Sequence, residues 1–262
     1  MKIGCCIDPA LWGGDMLAYL KQLKEIGYDF IELPIIKMIQ MGEGELENVC
    51  KNLQSSPIGC ECCNVLFPAD VRITGDEVDY QSIGTYVDKA LGVAARLGAR
   101  IVVFGSAAAK NIPEGFAYEK AALQYFLVLD IFYVCGLKYY IIIAVEHLNK
   151  NEANFVTTIK EAYDFVKEVN LSNIKILVDY FHMKMENEDE EILLELKDDL
   201  VHVHIAENIT RAYPVEASRE QYKSFSSKLK AIGYCGRVSI EATSQDILAD
   251  ATNSLPLIRD IF

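Results

Sequence analysis

Four short apolar runs in the second half of the chain lead into residues that can move protons or bind cations. Ile141–Val145 runs into Glu146, Ile174–Val178 into Asp179 and Val238–Ile240 into Glu241, and His204 stands near the end of Val201–Ile205. Short Ile- and Val-rich runs of this kind are strand candidates. If the strands are parallel neighbours, all four side chains reach one rim. A lone carboxylate at a strand end is as readily the start of a solvated loop, and a lone strand histidine a hydrogen-bonded core residue. Their joint occurrence is harder to dismiss, because three anions gathered in a partly buried cup repel one another. A divalent cation removes that repulsion, and three carboxylates with one imidazole suit Mn2+, Co2+, Mg2+ or Zn2+. Glu146, Asp179, His204 and Glu241 are therefore expected to ligate one divalent metal ion.

Those residues need a scaffold that brings strand ends together. Strand candidates are Ile3–Ile7, Phe30–Leu33, Gly59–Leu66, Arg100–Phe104, Ile141–Glu146, Ile174–Asp179, Val201–Ala206 and Arg237–Glu241. Between them lie amphipathic stretches at Met16–Ile26, Glu45–Leu53, Val78–Leu97, Tyr118–Cys135, Asn154–Val169, Asp189–Leu196, Ser218–Ile232 and Ile247–Phe262. Gly27, Gly98, Gly136 and Gly233 each follow a helical stretch and precede a strand, as C-terminal caps do. Eight strand–helix repeats without a linker predict α/β architecture, a single (β/α)8 TIM barrel spanning residues 1–262. In that fold active sites lie at the C-terminal strand ends. The rival doubly wound sheet would favour a Gly-x-Gly-x-x-Gly turn after the first strand, and Asp8-Pro9-Ala10-Leu11-Trp12-Gly13-Gly14 is not one.

Composition narrows the partners. The 262 residues carry 38 acidic and 25 basic side chains, a formal charge of −13 that repels phosphate backbones and anionic lipid heads. A small-molecule partner is expected, with no nucleic acid and no membrane; a homo-oligomer, dimer or tetramer, is left open. The apolar-rich stretch Phe126–Val145 is broken by Asp130, Gly136 and Lys138 and reads as a helix end followed by a strand. The eight cysteines include the neighbours Cys5-Cys6 and Cys62-Cys63, which point to opposite faces of a strand. They are read as reduced thiols of a cytoplasmic protein. Cys60 and Cys63 form a C-x2-C with no second pair to complete a zinc clip.

The segments around these residues also resemble a known family. Glu146-His147-Leu148-Asn149-Lys150-Asn151-Glu152 is similar to the Glu-x-x-Asn-Arg-x-Glu of xylose-isomerase-like sugar isomerase/epimerase barrels, with Lys150 in place of Arg. Asp179-Tyr180-Phe181-His182-Met183 resembles their Asp-x-Phe-His-Met, and His204-Ile205-Ala206-Glu207 with Arg211 resembles their His-x-x-Glu/Asp…Arg segment, although Val215 follows Pro214 where the family often has Gly. Ser239-Ile240-Glu241 matches the final Glu. Within the family the chain looks most like D-tagatose/D-psicose 3-epimerases and sugar phosphate isomerase/epimerases. The resemblance implies a sugar substrate, Glu146 and Glu241 as catalytic acid/base residues as well as metal ligands, and substrate contacts from Glu152, His182 and Arg211. It also carries over Cys63 and Asn64 as substrate-binding residues.

The implied reaction removes a proton beside a carbonyl, with the metal stabilising an enediolate. Carboxylates on two sides of the substrate epimerise it, one taking the proton and the other returning it to the opposite face. His202 is two residues from His204, faces the same way one layer deeper, and is expected to pack or support rather than ligate. Glu207 is expected to orient His204 or meet the substrate. His147 should face away from the ligands. Trp12 and Phe67 are candidates for apolar walls over a sugar ring, and the acidic run Glu186–Glu191 for a solvated helix N-terminus. An inosose-type dehydratase or a hydroxypyruvate isomerase would use the same residues. An endonuclease IV-like nuclease would need more than the four histidines present.

Overall fold

The computed structural model describes residues 1–12 and 14–262. Eight parallel strands close in chain order into a barrel, with the last pairing back onto the first. They are β1 (Lys2–Cys6), β2 (Phe30–Pro34), β3 (Gly59–Asn64), β4 (Ile101–Phe104), β5 (Ile142–Glu146), β6 (Ile174–Asp179), β7 (Leu200–Ile205) and β8 (Arg237–Ile240). The helices outside are α1 (Met16–Ile26), α2 (Ile35–Gln40), α3 (Glu43–Ser55), α4 (Tyr80–Leu97), α5 (Ala107–Lys110), α6 (Tyr118–Tyr139), α7 (Ile159–Val169), α8 (Tyr180–Met185), α9 (Leu193–Leu196), α10 (Arg219–Ala231) and α11 (Ile247–Ile261). Each expected strand is present within two residues of its expected bounds. α2, α5 and α8 are short turns of helix straight after strands or in the loops beyond them, too short to leave a helical period in the sequence.

Strand alternation divides the apolar side chains into two cores. Phe30, Cys62, Ile101, Val103, Ala144 and Leu177 fill the barrel. Ile3, Cys5, Val102, Phe104, Val145, Val178, Val203 and Ile205 face the helices, where burial is continuous with Leu20, Leu91, Phe132 and Phe225. Helix starts are tied by side-chain oxygens of Asp15, Asp79, Thr158 and Asp246, and Gly27 and Gly98 end α1 and α4 in left-handed conformations.

Gly136 departs from expectation. It lies inside α6, and the left-handed residue that ends this helix is Tyr140. Glycine is required there by close approach: a Cβ would stand 2.3 Å from Asn173 Nδ2 and 2.8 Å from the Ile141 carbonyl. Asn173 uses that space to donate to the carbonyls of Tyr133 and Ile141, tying the end of α6 to the barrel. By length and composition α6 is apolar enough to cross a membrane; here Tyr125, Val128, Leu129 and Phe132 bury one side of it against the barrel.

The acidic run also differs from expectation. Glu186 accepts from the Lys150 backbone, Glu188 from the Ile159 backbone at the start of α7, and Glu190, itself buried, pairs with Lys184. Three of its carboxylates thus staple the loops after β5 and β6 rather than face water.

Gly136→Ala is expected to lower unfolding free energy by about 1–3 kcal/mol through overpacking, despite alanine's better helix propensity. Urea titration should show an earlier midpoint at unchanged slope; an unchanged or later midpoint would refute the packing account.

Candidate metal and substrate site

The inward-facing residue at the C-terminal end of each late strand enters one cup. Glu146 ends β5, Asp179 ends β6, His204 is the penultimate residue of β7, and Glu241 follows β8 with its backbone held by Ile205. One ligand atom from each of the four lies within 4.8 Å of all the others. Atoms bound about 2.0–2.3 Å from one ion can stand no further apart than about twice that. Glu146, Asp179 and His204 are buried and Glu241 is half-buried. Glu146 Oε1 and His204 Nδ1 have no hydrogen-bond partner, although both are buried. They stand 3.3 Å apart, and His204 Nδ1 is 3.6 Å from Glu241 Oε2. Orphaned polar atoms of this kind are costly unless something else satisfies them. The three-oxygen, one-nitrogen set fits a divalent cation.

Neighbours orient these side chains. Asp179 Oδ1 accepts from the backbones of Phe181 and His182, capping α8 and leaving Oδ2 toward the cup. Glu241 accepts from Asn64 Nδ2 through Oε1 and from Arg211 through Oε2, both at 2.8 Å. Gly105, just past β4, is where Glu146 needs room: a Cβ there would fall 1.9 Å from Glu146 Oε2. The environment pushes the two glutamates apart. Burial, together with the charges of Glu241 and Asp179, raises Glu146. Burial also works against Glu241, but His204 and Arg211 outweigh it and hold that carboxyl below the ordinary range.

The residues assigned to substrate assemble around the same cup, with one exception. Arg211 bridges Glu152 (3.1 Å) and Glu241, and its guanidinium lies 4.9 Å from the Phe181 ring centre. His182 Nδ1 is 2.7 Å from Asn149 Nδ2, an amide donor, so the imidazole proton belongs on Nε2. That Nε2 is buried, unpartnered and 3.7 Å from Asp179 Oδ2. Asn64 lies at the rim through Glu241. Cys63 does not: a register shift in β3 turns its thiol outward into the helix-side core, 3.9 Å from Cys60 Sγ.

Other expectations are also redrawn. Glu207 touches Thr210 and not His204. His204 is instead held by Glu32, a fully buried residue of β2, whose Oε1 lies 3.0 Å from His204 Nε2. Its one sequence signal is a charge inside an apolar strand. Lys110 is wholly buried and donates to the Glu146 carbonyl at 2.9 Å. Phe67 packs among Tyr86, Phe104 and Phe132, away from the cup. Trp12 lines a cavity of about 500 Å³ with Met16, Met41 and Asn48. His147 faces away from the ligands, as expected, with Nε2 accepting from the Asp179 backbone.

A barrel of this form with acid–base groups at its rim invites comparison with known proteins. The chain matches the xylose isomerase-like TIM barrel family over residues 20–260 and belongs to it. A ketose 3-epimerase of Arthrobacter globiformis is 26% identical across 100% of this chain and 91% of the relative. An L-ribulose 3-epimerase of Methylomonas sp. (strain DH-1) is 26% identical across 96% of this chain and 89% of its own. Among solved structures, D-allulose 3-epimerase from Methylomonas sp. in complex with D-allulose overlays with a TM-score of 0.85 at 22% identity, covering 100% of this chain and 97% of that one. The 3-keto-D-glucoside 4-epimerase of E. coli overlays at 0.83 and 20% identity, covering 99% of each.

Gly105→Ala tests the cup's shape. The fold has room to adjust, since the clash is with the end of a side chain, but Glu146 must leave its position. A folded variant with Mn2+ affinity reduced by about 10-fold or more is expected, comparable to loss of a ligand-orienting group. Wild-type affinity by titration calorimetry would show that Glu146 is not needed where it stands.

Proposed function

We propose that this chain is a divalent-metal-dependent ketose 3-epimerase acting on a free sugar. It is an enzyme of the isomerase class with a small-molecule sugar as its partner. The observation that carries the reading is the placement of Glu146 and Glu241. They come from strands three positions apart in a closed barrel and reach the same cup, 3.3 and 3.6 Å from His204 Nδ1. The named relatives, all sugar epimerases, support it.

A divalent ion held by Glu146, Asp179, His204 and Glu241 would polarise the substrate carbonyl and stabilise negative charge on adjacent oxygens. Glu146 and Glu241 divide the proton transfers. One carboxylate takes the proton from the carbon beside the carbonyl, breaking C–H and forming O–H. The other, protonated, delivers its proton to the opposite face. Each turnover therefore exchanges the protonation states of the pair, and the two epimers are served by opposite starting states. Environments that push two carboxyls apart suit such a division of roles. His182 presents Nε2–H to a substrate oxygen. Arg211 holds the Glu241 carboxylate and, with Glu152, binds substrate hydroxyls. A phosphate finds little here: Lys110 is sealed behind β5 and Arg211 is already paired with two carboxylates. Dehydratase or hydroxypyruvate isomerase activity would need the same acid–base groups, but the relatives' activities favour epimerisation.

The test is a screen of ketohexoses, ketopentoses, hydroxypyruvate and inosose with Mn2+ or Co2+, read by product chromatography. A C3 epimer is expected, and EDTA should abolish its formation. Glu146→Gln and Glu241→Gln should each cut turnover by about 10²–10⁴, the usual worth of a positioned acid or base. In heavy water a single variant should still exchange the proton facing its surviving glutamate. Full turnover in either variant at saturating metal would rule out the two-carboxylate mechanism, and a dehydrated product would replace epimerase with lyase.

A further inference from the structure

Glu32 is the most completely buried carboxylate outside the ligand set, and the proton transfers above do not use it. It rises from β2 into the barrel interior with no exposed surface, and among the described residues its side chain meets no lysine or arginine. Oε1 lies 3.0 Å from His204 Nε2, Oε2 lies 2.8 Å from His202 Nε2, and Ser239 Oγ donates to Oε2 at 2.7 Å. These partners come from β7 and β8, three and two positions from β2 around the closed barrel. A buried anion without a strong counter-charge is costly, so its place calls for a reason beyond packing.

We infer that Glu32 is the positioning residue for the metal ligand His204, fixing its tautomer and ring orientation so that the Nδ1 lone pair faces the cup. An ionised carboxylate only accepts hydrogen bonds, so a bond at 3.0 Å requires the proton on His204 Nε2. In the neutral ring that binds a cation the other nitrogen is then bare, and it is the atom that stands beside Glu146 and Glu241 with no partner. Without Glu32 the ring can take the other tautomer and donate Nδ1–H to Glu146, placing a proton where a ligand bond belongs. His202 and Ser239 have a different part. They occupy Oε2, so the carboxylate cannot rotate away from His204.

This inference rests on the metal-dependent reading, and the experiment separates the two. Mn2+ binding is measured by titration calorimetry on wild type, Glu32→Met and Glu32→Gln. Wild type should bind; if it does not, the metal reading itself fails. Glu32→Met, similar in volume but unable to accept, should bind about 10–100-fold more weakly, as loss of a carboxylate behind a ligating histidine does. Glu32→Gln, which can still accept from His204, should recover part of that loss. Equal affinity in wild type and a folded Glu32→Met would overturn the inference. Should Glu32→Met not fold, histidine-selective ¹⁵N NMR of Zn2+-loaded wild type decides. The inference requires His204 to carry its proton on Nε2; a proton on Nδ1 with Nε2 bound to zinc would overturn it.

Discussion

Like charges crowd this barrel's rim, and most of its polar architecture answers to that crowding. Glu146, Asp179 and Glu241 bring three carboxylates within one ligand sphere, Glu152 stands beside them and Glu32 lies beneath. In a low-dielectric setting such a group persists only if each anion is paired or hydrogen-bonded. The chain answers with Arg211 across Glu152 and Glu241, Asn64 on Glu241, two backbone amides on Asp179 and two imidazoles and a hydroxyl on Glu32. What remains without a partner, Glu146 Oε1 and His204 Nδ1, marks where a cation fits.

The scaffold makes this geometry possible through strand parity. On each strand, alternate residues face the interior, so Ala144 and Glu146 share a face, as do Leu177 and Asp179. On β5 and β6 the layer below the rim is apolar, Ala144 and Leu177, whereas on β2, β7 and β8 it holds the bonded group Glu32, His202 and Ser239. The rim then needs space as much as ligands. Gly105 leaves room for Glu146, while Gly4, one layer lower, leaves room for Phe30, whose ring would lie 2.5 Å from a Cβ. These absences of side chain are part of the site.

Loops contribute as counter-charges and hydrogen-bond partners rather than ligands. Arg211 sits in a left-handed conformation that costs a non-glycine residue of order 1 kcal/mol. Its reward is a guanidinium that lies over Phe181 while reaching two carboxylates. Lys110 works from the other side of the wall. Its ammonium, pushed down to about 8 by burial despite the charges of Glu146 and Glu161, ties the end of β5 to the loop at Val156. A lysine in that position braces the strand that delivers Glu146; it does not receive a substrate.

The alternation of apolar runs and amphipathic stretches was enough to specify the barrel, because both periods are local. The same runs identified Glu146, Asp179, His204 and Glu241, since a polar residue at the end of a buried strand stands out against its neighbours. The segments after them pointed to Glu152, His182 and Arg211, which do gather at the cup. Contacts made across the barrel left no local pattern. Glu32 precedes His204 by more than half the chain, and the carboxylate placed three residues after His204, Glu207, proved to have turned into its own loop. Cys63 was lost to a one-residue shift of register between β2 and β3, which moves a side chain from one face of the sheet to the other. Gly136 read as a helix end because glycine often is one; only the approach of Asn173 from another element showed the need for an empty Cβ position. The sequence by itself determined the eight strands and which polar residues stand at their C-terminal ends. Tertiary structure decided which of them face one another, because pairing distances across a closed barrel depend on register and closure, and neither is encoded in any single segment.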